Sequence, residues 1–343
     1  MKDIKNYTLE ELAEALKDKG FPKFSGQQIF NWLYKKKVEA FTQMSDISRE
    51  CREFLKKNFY VSGLKLLKKE VSCDGTEKFL FGLDDKNTIE SVLIPKKNRN
   101  TLCISTQVGC KFKCAFCASG RDGLIRNLLA SEVVGQYLGV SRLITPRKIT
   151  NIVFMGIGEP LDNFSNILKT IEILIESKGI YFTKKRICIS TCGLIPQINK
   201  LSDLNLGVML SVSLHAANDE TRSRLMPINK KYPLKDLMKA ARDFSRGRRH
   251  AVTFEYALIE GLNSSLRDAA ELGKLLRGMP FKVNLIPLNC SFAGFSPPKP
   301  EEANAFKDEL IRRHIFCTLR QPRGQDIDAA CGQLRAKHKH KND

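Results

Sequence analysis

Cys110, Cys114 and Cys117 stand in the run GCKFKCAFCASG, with three residues between the first pair and two between the second. Thiolates are the ligands that iron-sulfur clusters take, and a four-iron cluster is saturated by four of them. This tight group of three predicts a 4Fe-4S cluster whose remaining iron is open to a small molecule. Structural zinc is the other reading of clustered cysteines, but it takes four ligands, usually as two CxxC-like pairs, and no second pair stands in this chain. Immediately after NIVFM comes Gly156-Ile157-Gly158-Glu159-Pro160, where glycines would let the backbone approach a ligand closely. Ser190, the Ser213-Leu214-His215 run and Asn289 close other apolar segments and offer hydrogen-bonding groups. Any one of them alone reads equally as a strand-end or turn residue; their repetition argues for a shared edge.

The composition restricts what such a centre acts on. A formal charge of +20 and a pI near 9.5 favour a polyanionic partner, and basic clusters recur at 35–37, 96–100, 183–186, 246–249 and in the tail RAKHKHKND. Such clusters suit neutralisation of a phosphate backbone, so nucleic acid is the expected partner and its binding should weaken with salt. No apolar run approaches the roughly 20 residues of a membrane span. The start, MKDIKNYTLEEL, is charged where a signal peptide is apolar, which predicts a cytoplasmic protein. The 11 cysteines therefore do not read as a disulfide framework, and metal or redox roles are preferred for those that have one.

The elements that must carry these residues divide the chain. Residues 1–60 read as a small helical domain, a candidate RNA-docking domain, with Thr8/Glu11 and Ser25/Gln28 in the capping-box pattern and Leu9, Leu12, Ala13 and Leu16 on one helical face. Residues 61–99 read as a short strand-rich connector, with DDKN as a turn. From residue 100 to 336 strands alternate with helices: TLCIST, NIVFMG, RICIST, GVMLSVSL, VTFEYALI, FKVNLIPL and IFCTLR, separated by amphipathic segments such as FSNILKTIEILIES and LKDLMKAARDFS. Repeated βα units predict a parallel sheet buried on both faces. The polar residues follow strands, so this is an α/β fold of the partial (βα) barrel kind. Residues 337–343 form a basic tail.

The cysteine run resembles the CxxxCxxC signature of radical S-adenosylmethionine (SAM) enzymes, in which SAM chelates the open iron through its amino and carboxylate groups, and GIGEP resembles the segment that holds the aminoacyl end of SAM. A wider set of segments agrees in order: LCISTQVGCKFKCAFC, MGIGEPLDN, SLHA, LMPIN, TFEYALIEGLN, KVNLIPLN, RGQDIDAACGQL and, near the start, FSGQQIFNWLYKKKVEAFTQMSDIS. Together they resemble the dual-specificity ribosomal-RNA and transfer-RNA adenine-C2 methyltransferase family, RlmN, over nearly the whole chain.

The resemblance implies 23S rRNA and tRNA as substrates, two SAM molecules per turnover, a reductant protein such as flavodoxin, and a monomer. It assigns the cluster to Cys110, Cys114 and Cys117, and SAM binding to Gly158, Glu159, Ser190, Ser213, Leu214, His215 and Asn289. It further implies that Cys331 becomes methylated by one SAM, a step suited to a thiolate nucleophile. A 5'-deoxyadenosyl radical from the second SAM then takes hydrogen from that methyl, whose carbon adds to adenine. Glu90 would accept the ring proton, and Cys103 would release the product through a transient disulfide with Cys331. By itself Glu90 reads as an exposed strand residue. Cys51, Cys73, Cys188, Cys192, Cys290 and Cys317 read as ordinary buried or half-exposed thiols.

Two alternatives stay open at this level. One is the antibiotic-resistance branch that methylates adenine carbon 8; GEP rather than GEA at 158–160 and the VNLIPLN segment favour carbon 2. The other is a non-catalytic basic RNA-binding assembly factor carrying a structural cluster.

Overall fold

A computed structural model describes residues 1–246, 252–278, 280–289 and 293–334. Cys290, the end of the basic cluster at 246–249 and the tail lie outside the described residues.

The N-terminal part comprises β1 (Lys2–Asp3), α1 (Leu9–Lys17), α2 (Lys23–Tyr34), α3 (Arg49–Asn58) and β2 (Phe59–Tyr60). Thr8 caps α1 through the expected box: its Oγ1 accepts from the Glu11 amide and the Glu11 carboxylate accepts from the Thr8 amide. The second expected box does not form. Pro22 precedes α2 and Ser25 lies inside it, buried. The reason is packing: α1 and α2 approach so closely that a Cβ on Gly26 would stand 3.1 Å from Ala13, and the helix must begin earlier to present that surface.

The strands expected at 61–99 are present as β3 (Lys65–Val71), β4 (Glu77–Gly82) and β5 (Thr88–Lys96), followed by β6 (Arg99–Cys103). They join the main sheet as an antiparallel extension through β5 and β6. A hairpin pair, β7 (Gln107–Gly109) and β8 (Leu124–Asn127), flanks the cysteine run. Then come α4 (Ala130–Leu143), β9 (Asn151–Phe154), α5 (Phe164–Ile175), β10 (Ile187–Thr191), α6 (Ile195–Leu204), β11 (Met209–Ser213), α7 (Asp219–Leu225), α8 (Leu234–Ser245), β12 (Thr253–Leu258), α9 (Leu266–Leu275), β13 (Lys282–Pro287), α10 (Pro300–Arg312) and β14 (Cys317–Leu319).

The sheet order is β14-β13-β12-β11-β10-β9-β6-β5-β4-β3, parallel from β14 to β6. β14 and β6 are not paired with each other, so the barrel stays open, and residues following strands from β6 to β14 line one cavity. The apolar core runs without a break from Leu12, Phe30 and Leu33 of the helical part to Phe154, Leu210, Phe254 and Leu285 of the sheet. Ser131 at the start of α4 is tied to Asn6, and Arg142 at its end to Glu39. Among the described residues no helix is long and apolar enough to cross a membrane.

Candidate active site

The cysteine run passes along one wall of the cavity, and the thiols of Cys110, Cys114 and Cys117 all line it. Three anchors hold this loop. The Ala115 amide donates to the Leu225 carbonyl at the end of α7, 2.9 Å, the Ala118 amide donates to Gly332, 2.7 Å, and Ser119 Oγ donates to Leu334, 2.7 Å. Burial pushes the Cys110 thiol up to about 12 and raises those of Cys114 and Cys117, each further opposed by the charge of its neighbours. No group of three or more His, Cys, Asp or Glu among the described residues converges tightly enough for a single metal ion. A four-iron cluster is a larger body, and a loop presenting three thiols to one cavity suits it, with no fourth protein ligand needed at its open iron.

The opposite side of that loop meets the GIGEP turn. Gly158 has φ +101°, and a Cβ there would lie 2.5 Å from Gln107 Cβ; one on Gly156 would lie 2.7 Å from the Ser105 amide. These glycines are required first by the close approach of the turn to the segment between β6 and β7, and the turn also lines the cavity. Gln107 fastens it: its Oε1 accepts from the Glu159 amide, 2.8 Å, and its Nε2 donates to Asp162, 2.9 Å. The buried Glu159 carboxylate accepts from the amides of Leu161, 3.0 Å, and Cys192, 2.8 Å, while its burial raises it above the usual carboxylate range.

Ser190, Ser213, His215 and Asn289 also line the cavity. His215, at φ +58°, accepts from the Ala257 amide on Nδ1, 2.8 Å, and packs edge-on against Phe116. Burial, helped by the charge of Arg222, holds its imidazole down at about 3, so it is neutral near pH 7. The Leu214 side chain is fully buried in the core, and only its backbone takes part: the amide donates to Glu255 and the carbonyl accepts from Arg222. Asn289 Nδ2 donates to the Cys331 carbonyl, 3.1 Å.

Cys331 is exposed at the cavity's edge, on a segment without regular strand or helix that is tied down along its length. Asp74 in the β3–β4 turn accepts from the Gly324 amide, 2.9 Å; Asp326 accepts from Ser72 Oγ, 2.6 Å, and the Cys73 amide, 3.1 Å; Lys78 donates to the Ile327 carbonyl. Cys103, on β6, is buried and does not line the cavity. It packs with Val92, Ile157, Ala329 and Leu334 beneath the Cys331 segment. Burial first, then the charge of Cys331, pushes its thiol up to about 12. Both thiols are free in this structure. Glu90 is buried, contrary to its reading from the sequence alone; it also lies outside the cavity lining, on β5 in the register that opposes Val92 to Cys103, with Lys78 Nζ 3.7 Å away.

Two features escaped the sequence reading. Arg222 on α7 is fully buried and donates to the carbonyls of Leu214, 3.1 Å, Cys192, 2.9 Å, and Ser213, 3.0 Å, and to Asn229 Oδ1, 2.7 Å. It staples the ends of β10 and β11, yet in DETRSRL it looks like a solvated charge; the adjoining LMPIN segment was its one signal. Cys192, read as an ordinary thiol, lines the cavity, and burial followed by the Glu159 charge raises it well above the usual thiol range.

Residues 104–273 match the Radical SAM superfamily, and residues 2–61 match the Ribosomal RNA large subunit methyltransferase N-terminal domain. The chain is 45% identical over 360 residues to a dual-specificity RNA methyltransferase RlmN of Campylobacter hominis, covering 100% of this chain and 99% of the relative. It is 46% identical over 337 residues to the protein of that name in Pelobacter propionicus, covering 98% and 96%. The crystal structure of a radical SAM methyltransferase from Sphaerobacter thermophilus matches with a TM-score of 0.93 at 42% identity, covering 98% of this chain and 100% of that one.

Proposed function

Because the chain belongs to the RlmN family of radical-SAM RNA methyltransferases, we propose that it methylates carbon 2 of adenine in 23S rRNA, near the peptidyl-transferase centre, and in tRNA beside the anticodon. The observation that carries this reading is the common cavity of Cys331 with Cys110, Cys114 and Cys117. A binding protein with a structural cluster has no need of an exposed thiol tethered on that cavity.

Carbon 2 of adenine is not nucleophilic, so the methyl group must first be carried by the protein. Cys331, as a thiolate, takes it from one SAM, forming a thioether and leaving S-adenosylhomocysteine. Arg320 lines the same cavity, and its guanidinium is held above its usual range chiefly by the charge of Cys331, an attraction that favours the thiolate. The cluster, held by Cys110, Cys114 and Cys117 with a second SAM at its open iron, supplies the one-electron chemistry that removes hydrogen from the carried methyl. Gly158, Glu159, Ser190, Ser213, His215 and Asn289 hold SAM there, together with the backbone of Leu214. Glu90 accepts the ring proton after the carbon has joined adenine, and its ion pair with Lys78, itself bonded to the Ile327 carbonyl, ties that base to the Cys331 segment. Cys103 then attacks the Cys331 sulfur, releasing methylated RNA and leaving a disulfide for reduction. An exposed carrier thiol above a buried resolving thiol suits this division: the first must meet SAM and RNA, the second only its partner.

The basic residues of 1–60 serve to dock RNA. The reading also includes a protein reductant such as flavodoxin, a monomeric enzyme and a cytoplasmic location. Its test is anaerobic reaction of cluster-reconstituted protein with SAM, reductant, 23S rRNA fragments and tRNA, followed by nucleoside mass spectrometry. 2-Methyladenosine is expected. 8-Methyladenosine would transfer the protein to the other branch, and no product from cluster-loaded protein would leave RNA binding alone.

A further inference from the structure

Glu255, on β12, is 5% exposed, yet it lines the cavity. Its Oε1 accepts from Ser211 Oγ, 2.6 Å, and from Asn284 Nδ2, 3.0 Å. Thr318 Oγ1 donates to Asn284 Oδ1, 2.7 Å, which fixes the amide so that its nitrogen faces Glu255. The carboxylate is thereby oriented from β11, β13 and β14 together. Its other oxygen, Oε2, is buried without a hydrogen-bond partner. Arg320 lines the same cavity and is not ion-paired with it among the described residues. A buried carboxylate oxygen with no donor costs more than one hydrogen bond is worth, so an acceptor held this firmly in a ligand cavity implies a donor on the ligand.

We propose that Glu255 Oε2 accepts hydrogen bonds from the ribose hydroxyls of SAM, with Ser211, Asn284 and Thr318 as its positioning residues. The inference rests on SAM being the ligand of this cavity. SAM spends its amino and carboxylate groups on the open iron, which leaves the ribose diol and the adenine amino group as hydrogen-bond donors. Counted across the sheet, the cysteine loop and GIGEP turn follow β6 and β9, Ser190 ends β10 and Ser213 ends β11. Glu255 comes next, in register with Ser213. The ribose is the middle of SAM, and β12 is the strand reached after the aminoacyl end has been seated. Carboxylates are also the groups that dinucleotide sites use for ribose hydroxyls.

The test is equilibrium dialysis of SAM, S-adenosylhomocysteine and its 2'-deoxy and 3'-deoxy analogues against anaerobic, cluster-reconstituted full-length protein, wild type and Glu255→Gln. Wild type should bind at least one deoxy analogue about 10- to 100-fold more weakly than S-adenosylhomocysteine. Glu255→Gln should lose a similar factor for SAM and S-adenosylhomocysteine and show no further loss for the deoxy analogue. If wild type binds SAM and the variant binds it equally well, or if the deoxy penalty is the same in both proteins, the inference is overturned while SAM remains the ligand. If wild type does not bind SAM, the underlying reading fails. Should Glu255→Gln not fold, Glu255→Asp retracts the same charge by one methylene and must reproduce the loss.

Discussion

The amide of Ala118 donates a 2.7 Å hydrogen bond to the carbonyl of Gly332, and each of these residues directly follows a cysteine of the cavity, Cys117 and Cys331. This bond fixes the distance between the cluster loop and the methyl-carrying thiol through the backbone, where side-chain rotation cannot alter it. Gly332 has φ +82°, and a Cβ there would meet the Phe116 carbonyl at 3.3 Å. Gly332→Ala should lower turnover at least about tenfold, since small misplacements at a reacting centre are costly. SAM affinity, measured by dialysis, should change little.

The same segment is tethered at its other end by Asp74. Burial opposes ionisation there, but hydrogen bonds from Thr76 and from the Gly324 amide hold the carboxyl down at about 2. Asp74→Ala should release residues 324–331 from the β3–β4 turn, lowering turnover while leaving cluster content, read by iron and sulfide analysis, intact.

Arg222 binds the carbonyls of Cys192, Ser213 and Leu214 from within the core. Arg222→Met leaves those acceptors buried without donors and should destabilise the protein by about 3 kcal/mol or more in chemical denaturation. SAM affinity should fall as well, because the strand ends carrying Ser190 and Ser213 lose their staple.

Histidine 215 makes stability pH-dependent. Its imidazole is depressed to about 3 in the fold, against about 6.5 when unfolded, so the unfolded chain binds the extra proton between those values. Its contribution is complete above about pH 6.5 and is lost as pH falls toward 3, by at most about 1.4 kcal/mol per pH unit. His215→Asn, which keeps an acceptor for the Ala257 amide, should flatten that part of a stability-against-pH curve.

Cys103 is raised to about 12 by burial. Below that value its thiolate fraction grows tenfold per pH unit, so release of the RNA adduct should quicken with rising pH. In single-turnover gels a covalent protein-RNA band should decay faster at pH 8.5 than at pH 7. In Cys103→Ala the band should persist at both; normal turnover of that variant would remove the disulfide step.

Much of this was legible in the chain because the signals are local. The CxxxCxxC spacing, the strands from TLCIST to IFCTLR and the long amphipathic helices depend on residues near one another, and the structure reproduces those strands and helices. Two short helices were not anticipated: α6 carries Pro196 near its start, and α7, DETRSRL, has no apolar period for burial to follow. Yet α7 supplies Arg222 and the carbonyl that anchors Ala115. Tertiary structure alone decided that Glu90 is buried, that Leu214 turns into the core, that Cys192 joins the cavity wall and that Glu255 keeps an unpartnered oxygen there. Each of these depends on which strands become neighbours and which face of each strand turns inward. Sequence pattern specifies a strand's two faces, but only the closing of distant strands around a common cavity determines what each face meets.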